Sequence, residues 1–235
     1  MLRKLVFLCL LSCLINVSNI YAQSVNRYGL NIIDKQQVYL EKVAADSNNR
    51  LVEIKRYIPD IRLDIRYATS NNFTGQAVYE EARAFARLPV VLALKSVQNE
   101  LKKKGLGLKI YDAYRPYSVT VKFFEVAEDK NFVASPKTGS RHNRGCAIDL
   151  TLVNLKSGRE LKMPTPYDSF APEAAPAFTD LPQRVKTNRD LLRKVMENHG
   201  FKVLHNEWWH FDYKNWENFQ LMDIPFSSLK SPVTR

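Results

Sequence analysis

Apolar and polar positions along the chain recur with two periods, and the change from one to the other marks the elements. From Ile61 to Tyr67 the stretch IRLDIRY alternates strictly, with Ile61, Leu63, Ile65 and Tyr67 on one side, which predicts a half-buried strand. NNFTG follows as a turn or loop. After Pro89 the spacing becomes helical: Val90, Val91, Leu94, Val97 and Leu101 form one stripe, Lys102 to Lys104 fill the last turn and Gly105 stops it. LGLKIYDAYRP returns to alternation at Leu106, Leu108 and Ile110, predicting a strand that ends near Asp112. A loop and a second helix follow, the helix starting near Pro116 and carrying Phe123, Phe124 and Ala127. GCAIDLTLV reads as a strand with Ala147, Asp149 and Thr151 on one face and Ile148, Leu150 and Leu152 on the other. Asn188 to His199 predicts a third helix, packed by Leu191, Leu192, Val195 and Met196 and stopped by Gly200. The aromatic FKVLHNEWWHFDY is strand-like.

Between these elements, Met163 to Pro182 holds five prolines and must be irregular; its length suits a functional rim better than a mere connector. Gln23 to Arg50 is polar, with a weakly amphipathic stretch at Val38, Leu40 and Val43, and reads as an N-terminal extension (23–50) ahead of one domain spanning 51–235. Strands and helices are interspersed without a βαβ rhythm or a glycine-rich phosphate loop. That predicts an α+β fold with a central, mainly antiparallel sheet flanked by helices.

Composition changes this picture at the N-terminus. Arg3 and Lys4 precede an apolar run from Leu5 to Val17 that is too short to span a membrane, and Ala22 is a plausible cleavage position. Residues 1–22 therefore read as a secretory signal peptide, with a lipoprotein signal ending at Cys13 as the alternative. The expected location is periplasmic or secreted, without stable membrane insertion after cleavage. Of three cysteines, Cys9 and Cys13 leave with the signal, so Cys146 remains alone and the fold must rest on its core rather than on an internal disulfide. The net charge of +11 comes from scattered basic residues with no nucleic-acid motif, so nucleic acid is not an expected partner. The charge reads mainly as solvated surface, compatible with anionic cell-wall polymers, acidic substrates or membrane surfaces.

Candidate chemistry gathers in SRHNRGCAIDL, because Asp149 lies inside a run expected to be buried and a buried carboxylate needs a partner. A catalytic zinc site takes three protein ligands and leaves one position open. His142 and Asp149, joined by a glycine turn, supply two. His210 is the best third candidate, and His205 is a rival. Glu207, three residues before His210, could act as general base. Positions 207 and 210 fall on opposite faces of a regular strand, so both can face one ion only if the segment bulges or turns. His199, at the end of a helix, has a sufficient structural explanation. Trp208 and Trp209 read as core or pocket wall, and Cys146 as a small buried residue pointing away from Asp149.

Four ordered segments resemble the D-alanyl-D-alanine dipeptidase family of VanX-type zinc enzymes. They are YATSNNFTG at Tyr67 to Gly75, DAYRP at Asp112 to Pro116, S-x-H-x-x-G-x-A-x-D from Ser140 to Asp149, and E-x-W-H from Glu207 to His210. The resemblance covers about Ile61 to Tyr213. It implies a hedgehog/D,D-peptidase-type fold and one Zn2+ per chain on His142, Asp149 and His210. Glu207 would carry the proton from the attacking water to the leaving amine. It further implies that Arg115 stabilises the oxyanion, a structural salt bridge with Asp112 being the other reading. Ser140 and Tyr67 would lie near the substrate, and Asp168 would hold the free ammonium, unless it is a solvated loop acid. The implied reaction is hydrolysis of D-Ala-D-Ala to two D-alanines in dipeptide recycling or turnover. A zinc D,D-carboxypeptidase acting on peptidoglycan stem peptides is the alternative, and a zinc-stabilised binding module without turnover is a rival of another class.

Overall fold

In the computed structural model, which describes residues 25–229, the chain forms β1 (Ile32–Ile33), α1 (Gln36–Ala45), β2 (Leu51–Glu53), α2 (Ile54–Tyr57), β3 (Arg62–Leu63), β4 (Phe85–Arg87), α3 (Leu88–Lys102), β5 (Leu106–Asp112), α4 (Tyr117–Val126), β6 (Ala147–Asn154), α5 (Gln183–Asn198), β7 (Phe201–Leu204), β8 (Glu207–Tyr213) and β9 (Leu221–Met222). The reading of residues 1–22 as a signal peptide lies outside the described residues. No described helix is long and apolar enough to cross a membrane.

The main sheet has five strands in the order β3-β5-β6-β8-β7. Only β3 and β5 run parallel; the other neighbours are antiparallel. The α+β expectation with a mainly antiparallel, helix-flanked sheet is therefore met. Strand β6 sits in the middle and is buried from Ala147 to Val153, leaving only Asn154 exposed. Such a strand needs cover on both faces. Helices α3 and α5 pack together against one face, with Val90, Leu94, Leu101, Leu192 and Met196 joining Ile148, Leu150 and Leu152 in the core. The other face carries Ala147, Asp149 and Thr151.

Several boundaries differ from the sequence reading. The alternating stretch from Ile61 pairs with β5 only at Arg62 and Leu63, and the chain then turns through a 3-10 segment at Arg66–Ala68. Ile61, Ile65 and Tyr67 are nonetheless buried, so the alternation reported burial and not an extended ladder. Helix α5 begins at Gln183, directly after Pro182. Its early turns bury Val185 and Arg189, too few apolar residues to register as a period. Residues 32–45, read as part of an extension, contribute Ile33, Val38 and Tyr39 to the main core, and β1 pairs with β9. The inward side of α1 is Val38 and Tyr39, while Leu40 points to solvent.

Two irregularities flank Asp149. The β5–β6 register slips between Ile110 and Asp112, which brings Asp112 opposite Asp149. On the other side, Val203 pairs with Phe211 and Leu204 with Glu207, so Trp208 to His210 bulge out of the β7–β8 ladder. His210 stays opposite Asp149 across the β6–β8 pairing. This is the bulge that Glu207 and His210 require in order to face one point.

Candidate active site

His142 reaches the sheet from a 3-10 turn, His142–Arg144, closed by Gly145 in the left-handed region at φ 69°. A Cβ on Gly145 would lie 2.6 Å from Leu51 Cδ2, so both the backbone angle and the packing call for glycine. The turn folds His142 back over β6. His142 Nε2 lies 3.3 Å from Asp149 Oδ1, His210 Nδ1 lies 3.0 Å from the same oxygen, and the two ring nitrogens are 3.1 Å apart. One ligand atom from each residue falls within 4.8 Å of the others, and all three side chains are buried.

The outer hydrogen bonds decide what these atoms offer. Ala113 O can only accept, so His142 Nδ1 donates to it at 2.7 Å and Nε2 keeps its lone pair. His210 Nε2 donates to Asp212 Oδ1 at 2.9 Å, which frees Nδ1 in the neutral ring. Tyr167 O–H donates to Asp149 Oδ2 at 2.9 Å, while Asp149 Oδ1 is buried without a hydrogen-bond partner. Three lone-pair atoms thus face one another with no donor between them, and a cation fits there. The donor set of two imidazoles and a carboxylate, each with an outer-shell partner, suits zinc. Electrostatics agree in sign. Burial opposes a charge on His210, yet the carboxylates of Asp149 and Asp212 beside its ring push its pKa up to about 10. Burial likewise opposes ionisation of Asp149, but the facing histidines hold it below the usual carboxylate range. Positive charge is favoured at this point, whether it arrives as a proton or as a metal.

Glu207 Oε2 stands 3.7 Å from His210 Nδ1. Burial raises its pKa, with the charge of Asp149 adding to the effect and His210 opposing it. Arg115 is buried and makes the salt bridge to Asp112, donating to Oδ2 from Nε at 3.0 Å and from Nη2 at 2.7 Å. It also lines the cavity, so the structural and the cavity-facing readings hold together. Asp112 is itself held by Tyr79 O–H at 2.8 Å and by Ala113 N–H at 2.8 Å. Burial alone would lower the Arg115 pKa, but Asp112 more than reverses this and keeps the guanidinium charged.

The ligand cluster forms part of the lining of a cavity of about 650 Å³ that also includes Tyr67, Arg115, Ser140, Asp168 and Glu207. The proline-rich segment supplies part of its rim, as its length suggested. Tyr67 O–H donates to Asp168 Oδ1 at 3.0 Å, and Asp168 Oδ2 is buried without a partner. Asp168 has φ 62°, a left-handed angle that Asp and Asn tolerate best among side-chain-bearing residues. Burial and the charge of Asp149 push its pKa up to about 8. Ser140 Oγ accepts from His142 N–H at 3.2 Å. Phe132 stacks on Phe170 with ring centroids 4.6 Å apart, and Phe73 meets Phe170 at a tilt of 58° from the loop after Tyr67.

Other candidates fall elsewhere. His205 is exposed at the cavity mouth and outside the ligand cluster. His199 pairs with Glu100 at 2.9 Å, a contact between α5 and α3. Cys146 is buried, with its thiol pushed up to about 12 by that burial. Trp209 lines the cavity, and buried Trp208 donates to Thr165 Oγ1 at 3.0 Å. Sequence reasoning missed Asp212 and Tyr167. Asp212 had a usable signal, since positions two apart on a strand share a face with His210. Tyr167 lies in the irregular segment and had none.

The chain matches the family described as D-ala-D-ala dipeptidase over residues 47–228. It is 33% identical over 185 residues to the D-alanyl-D-alanine dipeptidase of Escherichia coli (strain K12), which covers 79% of this chain and 95% of that protein. It is 33% identical over 201 residues to the D-alanyl-D-alanine dipeptidase of Enterococcus faecalis (strain ATCC 700802 / V583), with 76% and 94% covered. Among solved structures, a mutant of the vancomycin-resistance D,D-pentapeptidase VanY in complex with Zn(II) is similar at a TM-score of 0.37 and 16% identity, over 57% of this chain and 75% of that one.

Proposed function

Because the chain belongs to the D-Ala-D-Ala dipeptidase family, we propose that it hydrolyses D-Ala-D-Ala to two D-alanines with one zinc ion held by His142, Asp149 and His210. The observation that carries this reading is the meeting of three lone-pair atoms around the unpartnered Asp149 Oδ1, with a half-buried glutamate beside them. When bound, the metal supplies Lewis acidity that polarises the scissile carbonyl and acidifies the attacking water. Glu207 takes the water proton on its carboxylate and returns it to the leaving nitrogen. A pKa raised by burial suits a group that must both accept and give up a proton. Arg115, fixed by its two bonds to Asp112, directs charge at the oxyanion that forms on the carbonyl. Asp168, steadied by Tyr67, offers its unpartnered Oδ2 to the substrate ammonium. Ser140 accepts from His142 N–H and keeps its own hydroxyl proton to donate to the substrate.

Residues 1–22, read as an export signal, support a periplasmic or secreted enzyme that recycles or turns over cell-wall dipeptide. A second reading, a D,D-carboxypeptidase acting on stem peptides, is favoured by one observation. The cavity of about 650 Å³ has room for a ligand longer than a dipeptide. Asp168 weighs against it, since an acylated nitrogen carries no charge to meet the free oxygen. The test compares hydrolysis of D-Ala-D-Ala with that of N-acetyl-D-Ala-D-Ala by the zinc-loaded protein. Preference for the free dipeptide is expected; preference for the acylated substrate would overturn the dipeptidase reading.

A further inference from the structure

The arginines lining the cavity differ in what occupies their donors. Arg115 gives Nε and Nη2 to Asp112 and is already assigned to the oxyanion, and Arg144 Nη1 donates to the Phe219 carbonyl. Arg141 is held without being used up. Its guanidinium lies over the Trp216 ring at 4.8 Å and its Nε stands 3.5 Å from Asp212 Oδ2, close enough for an ion pair but long for a hydrogen bond. Among the described residues its Nη1 and Nη2 donate no hydrogen bond. Trp216 and Asp212 therefore orient a charged fork at the cavity wall and leave its outer donors available.

The position of this fork relative to Asp168 gives it a meaning. Asp168 follows Tyr167, whose hydroxyl donates to Asp149. Asp149 faces His210, His210 donates to Asp212, and Asp212 pairs with Arg141. A carboxyl with one free oxygen and a guanidinium with free outer donors thus lie at the two ends of one run of residues, with the His142, Asp149 and His210 cluster between them. A dipeptide spans about 7 Å and carries an ammonium at one end and a carboxylate at the other. We infer that Arg141 binds the C-terminal carboxylate of the substrate, so that the enzyme recognises a dipeptide by both charged ends. The planar guanidinium, preset by the Trp216 stack, matches a carboxylate bidentately. The inference rests on the dipeptidase reading, because the substrate must end in a free carboxylate one residue beyond the scissile bond.

The test uses zinc-loaded full-length protein in a Glu207→Gln background, where ligands bind without turnover. Calorimetry compares D-Ala-D-Ala with its C-terminal amide for Arg141, Arg141→Lys and Arg141→Gln, with zinc content measured in each. The expected result is a rise of about 10- to 100-fold in Kd for the free acid on Arg141→Gln. The amide should change little, Arg141→Lys should fall between, and zinc content should stay constant. Equal weakening of acid and amide, or loss of zinc, would overturn the inference and make Arg141 a support for Asp212 and His210. An unchanged Kd for the acid would overturn it as well. Failure of the unsubstituted enzyme to release D-alanine from D-Ala-D-Ala tells against the dipeptidase reading instead, and the calorimetric comparison is read independently of that assay.

Discussion

Asp168→Asn should make the metal-free protein more stable and the enzyme worse. The side chain keeps its shape and its left-handed backbone at φ 62°, which Asn tolerates as well as Asp. What changes is charge. The carboxyl pKa moves from an ordinary 3.8 to about 8 on folding, chiefly through burial and then through the charge of Asp149. That difference corresponds to at most ~6 kcal/mol of destabilisation once the group is fully ionised. The amide nitrogen that replaces Oδ2 has no partner either, which offsets ~1–3 kcal/mol. A net gain of ~3 kcal/mol is expected, or roughly 6–12 °C in Tm for a domain of this size.

The sign fixes a pH window. Between pH 4 and 8 the folded protein holds a proton on Asp168 that the unfolded chain has released, so stability falls as pH rises through that interval. The effect of Asp168→Asn should be a loss of ~1–3 kcal/mol at pH 4, turn into a gain as pH rises through 7 and level off above 8. Thermal melts of both proteins across this range, metal-free, measure it directly. Zinc should shrink the gain by offsetting the charge of Asp149. With D-Ala-D-Ala the variant should lose about 10- to 100-fold in kcat/KM, the worth of one charged hydrogen bond. A variant that melts no higher than the wild type, or whose gain does not vary with pH, would refute the assignment of Asp168 as a carboxyl whose ionisation the folded cavity opposes.

Glu207→Gln should lower kcat by about 10²- to 10⁴-fold while zinc content, measured by atomic absorption, stays unchanged. Asp212→Ala removes the acceptor 2.9 Å from His210 Nε2 and should weaken zinc binding about 10- to 100-fold in competition with a chelator. Protein stripped of metal, with its zinc content checked, should hydrolyse no dipeptide and should recover on addition of zinc. Gly145→Ala meets Leu51 Cδ2 at 2.6 Å and a φ of 69°, and should lower stability by ~2–4 kcal/mol in denaturant melts.

How much of this was legible in the sequence depended on whether the signal was periodic. The stripe from Val90 to Leu101 and the alternation from Leu106 to Ile110 gave α3 and β5 nearly to the residue, because burial against one neighbour imposes one period. The start of α5 was missed because its first turns bury few apolar side chains. The extent of β3 was overread because Ile65 and Tyr67 are buried by packing after the chain has left the ladder. The meeting of His142, Asp149 and His210 was legible through residue type and motif, and the need for a bulge at Glu207 followed from strand geometry alone. The outer shell was largely hidden. Tyr167 is placed by an irregular loop and Ala113 acts through its carbonyl, and neither kind of position leaves a pattern in side-chain sequence.

The charges around the cavity explain why such an outer shell is needed. Asp112 is neutralised by Arg115, and Asp212 is shared between His210 and Arg141. Asp149, Asp168 and Glu207 remain without a permanent cation within salt-bridge distance, all held in or beside one buried space. Burial acts against ionisation of each, and desolvated like charges are costly together. On the dipeptidase reading, a divalent ion beside Asp149 and Glu207 and a substrate ammonium beside Asp168 would supply the positive charge this cavity lacks. Asp168 and Glu207 therefore carry a penalty for ionising that, on the dipeptidase reading, a metal and a substrate ammonium would offset, and the two bulges and the glycine turn hold the groups in place. Removing Asp168 or Glu207, whose ionisation the fold opposes, should raise stability and lower activity together, whereas removing Asp149, whose ionised form the facing histidines favour, should lower both.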